Sequence, residues 1–156
     1  MTDTQPGPAG PLILCVDDNA MILQLMQSAL EGKGYRVLTA DCGEAALEQF
    51  ARRNFDLVIT DFSMPGMPGD QLVAQIRQLA PAQPIIMATA FAEDYKLFGR
   101  PGGNVDALIL KPFTFKELLD AVAEVLSRRQ VGQSGVGLPY AGDRPPPSSL
   151  RRALPE

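Results

Sequence analysis

Asp17, Asp18, Asp61, Thr89 and Lys111 are the side chains of this 156-residue chain whose types and spacing could do chemistry together. Each follows or closes an apolar run: Leu12-Ile13-Leu14-Cys15-Val16 before the two acids, Leu57-Val58-Ile59-Thr60 before Asp61, Ile85-Ile86-Met87-Ala88 before Thr89, and Ala107-Leu108-Ile109-Leu110 before Lys111. Three carboxylates brought close together repel one another strongly unless a cation sits among them. Oxygen ligands at a partly open site suit Mg²⁺, which keeps several waters and bridges to phosphate. Lys111 adds a compact positive charge and Thr89 a hydroxyl donor. A divalent ion, an ammonium and a hydroxyl around one carboxylate would stabilise a phosphoryl group carried by that carboxylate. Taken singly, each residue has a plainer role. Asp17-Asp18 would favour a helix N-terminus, Asp61 would cap a turn, and Thr89 and Lys111-Pro112 would be loop formers. Four strand ends that match one chemical plan outweigh those separate explanations.

The elements that must position these side chains follow from hydrophobic period. A continuous apolar run bounded by turn residues reads as a strand buried on both faces, as in a parallel sheet. The spacing predicts strands over 12–16, 35–40, 56–61, 84–89 and 107–110. Between them, apolar residues at helical spacing predict helices from Met21 to Leu30, Gly43 to Arg53, Gly69 to Leu79, Ala92 to Phe98, and from the box at Thr114 to about Arg129. Asn19 is a candidate cap for the first helix, and Gly32 and Gly34 stop it. Thr114-Phe115-Lys116-Glu117 has the pattern of a capping box. The fourth helix is cut short by Gly99-Arg100-Pro101-Gly102-Gly103. Alternating strands and helices mean right-handed βαβ units and an α/β, doubly wound parallel sheet with five strands and five helices. In such sheets ligands sit outside the carboxyl ends of the strands, where the five residues would meet.

Bulk properties remove several function classes. Net charge is −4 and no basic stripe is present, which argues against nucleic acid as a partner. No apolar run approaches the roughly 18 residues of a membrane span, and residues 1–6 lack the features of a secretory signal. Cys15 and Cys42 are too few for a disulfide scaffold, and a reducing cytoplasm is the expected compartment. There is no histidine, so zinc sites and Ser-His-Asp triads are not expected. Residues 1–10 and 130–156 are rich in Gly, Pro and Ser and are expected to be disordered flanks of one domain over 11–129. The tail stretch Leu150-Arg151-Arg152-Ala153-Leu154 is expected to be solvated.

Val16-Asp17-Asp18-Asn19, Ile59-Thr60-Asp61 with Met64-Pro65-Gly66, Ala88-Thr89-Ala90 and Leu110-Lys111-Pro112-Phe113 resemble the motif set of bacterial response-regulator receiver domains. Motif identity, order and spacing agree from residue 11 to about 129. The resemblance implies a flavodoxin-like fold with strand order 2-1-3-4-5, the order of the chemotaxis regulator of this family. It implies that Asp61 is the phosphoacceptor, and that Asp18, Asp61 and the backbone carbonyl of Ser63 ligate Mg²⁺, with Asp17 reaching the ion through water. Thr89 and Lys111 would bind the phosphoryl oxygens, and Lys111-Pro112 would be a cis peptide. The donor would be a phosphohistidine on a sensor histidine kinase or phosphotransfer protein, and the output a switch in protein–protein interaction with an unidentified target. A stand-alone module, monomeric or weakly dimeric, is expected.

Two features depart from the family pattern. Leu108 stands three residues before the lysine, where the family usually has Tyr or Phe, so a Thr–aromatic coupling is not expected. The interrupted stretch 92–106 is expected to be a short helix and loop that orders on phosphorylation or partner binding. Phe91, two past Thr89, is expected to shield an acyl phosphate from water. Two other classes remain open. A phosphohydrolase of the haloacid-dehalogenase type would place Asp-x-Asp after its first strand, whereas here the acids are adjacent. A phosphorylation-independent scaffold would have no need of the intact acids.

Overall fold

Strands buried on both faces need apolar side chains at every position, and the chain supplies such runs in register for one sheet. The computed structural model describes residues 10–91 and 105–133, with side chains up to residue 128. In chain order the elements are β1 (Leu12–Val16), α1 (Ala20–Glu31), β2 (Arg36–Ala40), α2 (Gly43–Arg52), β3 (Leu57–Asp61), α3 (Gly69–Leu79), β4 (Ile85–Thr89), β5 (Ala107–Leu110) and α4 (Phe115–Gln133). The strands form one parallel sheet in the order β2-β1-β3-β4-β5. β3 lies at its centre, and every residue of β3 and β4 is buried.

Because side chains alternate across a strand, the sheet separates two cores. Ile13, Cys15, Leu57, Ile59 and Ile86 face α1 and α4, where they pack on Leu23, Met26, Leu118 and Val122. Leu14, Val16, Val58, Ile85 and Met87 face α2 and α3, where they pack on Ala46, Leu72, Val73 and Ile76. Phe50 of α2 stacks on Phe55 at 6.2 Å between ring centroids. At about 25 cal/mol per Å² of buried apolar surface, two such layers supply the main drive to fold.

Helix ends follow local chemistry. The Asn19 side chain accepts from the Met21 and Ile22 N–H groups and starts α1. Gly34, at φ +94°, turns the chain into β2. The capping box before α4 is complete: the Thr114 hydroxyl accepts from Glu117 N–H, and the Glu117 carboxylate accepts from Thr114 N–H, both at 3.0 Å.

Four helices stand among the described residues, and the fourth of the five expected, Ala92 to Phe98, lies outside them. The last helix runs to Gln133, past the Arg129 expected from the apolar period. Helix backbone is not obliged to end where burial ends, and no proline interrupts this stretch. Among the described residues no helix is long and apolar enough to cross a membrane.

Candidate functional site

A parallel sheet delivers the carboxyl ends of its strands to one rim. β1 ends at Val16 and hands Asp17 and Asp18 to that rim, β3 ends in Asp61 itself, β4 ends in Thr89, and Lys111 follows β5. Ligand oxygens of Asp17, Asp18 and Asp61 all lie within 4.8 Å of one another. Asp17 is 1% exposed and Asp61 6%, while Asp18 is open to solvent. A buried acid needs a partner, and Lys111 partners two. Its Nζ lies 2.9 Å from Asp17 Oδ2 and 3.0 Å from Asp61 Oδ1. The other oxygen of Asp17 accepts from Asn19 N–H at 2.9 Å, so the residue that caps α1 also orients this acid.

Burial pushes the Asp61 carboxyl above its ordinary range. The hydrogen bond from Lys111 pulls it down and the Asp17 charge pushes it up again. An ion pair alone would lower a carboxyl, so loss of water and like-charge repulsion win at Asp61. Burial works against the Lys111 charge, but the hydrogen bonds that it donates to Asp17 and Asp61 outweigh it, and its pKa is raised. The site thus carries excess negative charge in a desolvated place, a setting that favours a divalent cation. The donor set fits Mg²⁺ in kind: hard carboxylate oxygens, close together, with one acid facing water.

Thr89 is buried, and its hydroxyl accepts from Phe91 N–H at 3.1 Å. Lys111 N–H donates to the Thr89 carbonyl at 2.8 Å, which ties the two strand ends together. Lys111-Pro112 is cis, as the motif implied. Phe91 is 57% exposed, beside Thr89 on the rim. Ser63 lies on the exposed loop that leaves β3, two residues past Asp61. That loop is pinned by Met64 and Met67, both buried against the α2/α3 core. Leu108 is fully buried in β5, opposite Met87 of β4. A conformational change was expected in the stretch 92–106, of which residues 92–104 lie outside the described residues.

Sequence reading did not anticipate that Lys111 bridges Asp17 and Asp61. Nor did it anticipate the Asp56 carboxylate, which accepts from Leu12 N–H at 2.8 Å and joins β1 to the entry of β3. Arg77 of α3 pairs with Asp106 at 3.4 Å, and Asp106 also accepts from Ile85 N–H. None of these carries a local signal, because each partner is distant in the chain.

This fold, with acids and a lysine gathered on one rim, defines a parallel α/β module, and comparison with known proteins places it. The family model of the response regulator receiver domain matches residues 13–123, and the chain belongs to that family, the receiver domains of two-component response regulators. The response regulator protein FleR of Pseudomonas aeruginosa is 40% identical over 126 residues, covering 80% of this chain and 25% of FleR. The chain spans half or less of the length of the first curated relatives that it matches. Among solved structures, a CheY-like receiver domain protein from Methanospirillum hungatei superposes with a TM-score of 0.72 at 29% identity, covering 79% of this chain and 98% of that one. The response regulator TrrA of Thermotoga maritima, solved in complex with Mg²⁺-BeF, superposes at 0.66 with 35% identity, covering 74% and 98%.

Proposed function

We propose that Asp61 accepts a phosphoryl group from a phosphohistidine and that the resulting aspartyl phosphate switches protein–protein interactions. The observation that carries this reading is the rim itself: three acids within 4.8 Å of one another, with one ammonium between Asp17 and Asp61. An Asp61 carboxylate oxygen attacks phosphorus in line with the scissile P–N bond. The bonding pair leaves with the imidazole, and a new P–O bond forms. Lys111 neutralises charge on the transferring oxygens, and the Thr89 hydroxyl binds one of them. Asp18, Asp61 and the Ser63 carbonyl would hold Mg²⁺, with Asp17 acting through water. The ion would supply charge neutralisation at the phosphoryl oxygens. Phe91, exposed beside Thr89, shields the acyl phosphate from attacking water.

The 156 residues contain no histidine, so the donor lies outside them, on a sensor histidine kinase or phosphotransfer protein. The target is an unidentified protein, and the setting is the cytoplasm. Transfer with slow loss of the group is the expected behaviour, not turnover of a substrate.

The test is labelling with a small acyl phosphate and Mg²⁺, wild type against Asp61→Asn. Label that persists on the wild type and is absent from the variant supports the reading. Rapid release of phosphate from the wild type would mean a phosphohydrolase, and no label on either chain would mean a scaffold.

A further inference from the structure

We infer that Gly69, outside the acid–lysine constellation, is a positioning residue for Asp61. The inference rests on the reading of Asp61 as phosphoacceptor. Gly69 is the first residue of α3, where glycine brings no helix preference of its own. Among the described residues the glycines with positive φ are Gly34 and Gly66, so Gly69 is not needed for a left-handed backbone. What its place demands is room. A Cβ built at Gly69 would lie 2.2 Å from the Asp61 carbonyl oxygen and 2.8 Å from the Phe62 Cα.

Those atoms are backbone, and no rotamer change can move them aside. Gly69 N–H donates to the Phe62 carbonyl at 2.8 Å, and Phe62 N–H donates to the Ala88 carbonyl at 2.9 Å. The start of α3 is therefore clamped directly on the end of β3. A carbon–oxygen contact normally settles at about 3.3 Å, so an added methyl forces helix and strand apart by about 1 Å. A shift of that size at Asp61 carries its carboxylate off Lys111 Nζ, now 3.0 Å away, and out of the acid trio. Misplacement by about 1 Å at a reacting group can cost about 100-fold in rate. The other close glycines differ. At Gly43 the crowding atoms are Sδ, Cγ and Cβ of Met67, of which the first two can swing aside and none belongs to the Asp61 strand. At Gly10 the contact is again backbone, 2.1 Å to the Gly34 carbonyl oxygen, but at the amino ends of the strands, away from the site.

Gly10→Ala is thus the steric control for Gly69→Ala. Both variants and the wild type are labelled with acetyl phosphate, whose P–O bond to acetate breaks as the bond to Asp61 forms. Mg²⁺ affinity is measured separately by calorimetry on the unphosphorylated chains, and folding by circular dichroism and Tm. The expected result is that Gly69→Ala folds, labels about 100-fold more slowly and binds Mg²⁺ about tenfold more weakly. Gly10→Ala is expected to keep wild-type values for both. Wild-type labelling and Mg²⁺ affinity in Gly69→Ala would overturn the inference, as would equal losses in Gly10→Ala, which would point to general destabilisation. Should Gly69→Ala not fold, Pro68→Gly decides: it loosens the same junction without adding an atom, and an unchanged Mg²⁺ affinity overturns the inference. If the wild type takes no label, the phosphoacceptor reading fails, while the Mg²⁺ titration still decides the role of Gly69.

Discussion

At the scale of single residues, the balance of the site rests on Lys111, whose one ammonium serves two buried acids. Removing it in Lys111→Ala leaves Asp17 and Asp61 facing each other without a counter-charge, at a cost of about 2 kcal/mol. Mg²⁺ should replace part of what is lost, so the rise in Tm on adding Mg²⁺ is expected to be larger for the variant than for the wild type. An equal or smaller rise would show that the acids do not share a cation site. Asp61 makes a second, pH-linked prediction. Its carboxyl is raised in the folded state above the ordinary 3.8, chiefly by burial. A raised carboxyl binds its proton more tightly folded than unfolded. It therefore stabilises fully only below the unfolded value, and that contribution is lost as pH rises through the folded one. In metal-free buffer at neutral pH, Asp61→Asn should melt at a higher temperature than the wild type, and the gap should close as pH falls into the carboxylate range. Thermal melts across that range check it, and a wild type more stable than Asp61→Asn at neutral pH contradicts it.

At the scale of elements, the capping box before α4 offers a prediction separable from the chemistry. Thr114→Ala removes the hydroxyl that accepts from Glu117 N–H and should cost about 1 kcal/mol in denaturant unfolding. Labelling at Asp61 should be unaffected, and a loss of label would mean that the start of α4 couples to the site. Elements of this kind were legible in the chain because their signals are local. Doubly buried strands show as unbroken apolar runs, so β1, β3, β4 and β5 emerge within a residue of their observed ends. Asn19 and Thr114 announce helix starts through side chains that can accept a backbone proton. The end of α4 was less legible. Past Leu126 the apolar period stops, yet the Arg128 side chain donates to the Asp106 carbonyl at 3.2 Å and holds the helix to the entry of β5. Gly69 was read only as a helix start. What it faces, the backbone of Asp61, is a property of packing that no period in the sequence encodes.

At the scale of the whole molecule, the parallel order β2-β1-β3-β4-β5 brings residues far apart in the chain to one edge. That is why the candidate site could be read as a set of strand ends before any distance was known. Its internal wiring could not. Lys111 and Asp17 are 94 positions apart, and only the assembled sheet shows that the lysine bridges the acids. The same sheet seals Cys15 beneath the rim, where burial pushes its thiol up to about 12 and keeps it unreactive. The proposed function comes down to one atom pair, a carboxylate oxygen of Asp61 and a phosphorus. The most direct measurement is chemical trapping. Protein labelled with acetyl phosphate and Mg²⁺ is reduced with borohydride, which converts an aspartyl phosphate to homoserine, and is then mapped by mass spectrometry. Homoserine at position 61 and at no other acid is the predicted result. Conversion at Asp17 or Asp18 instead, or label that survives in Asp61→Asn, would contradict the assignment of Asp61.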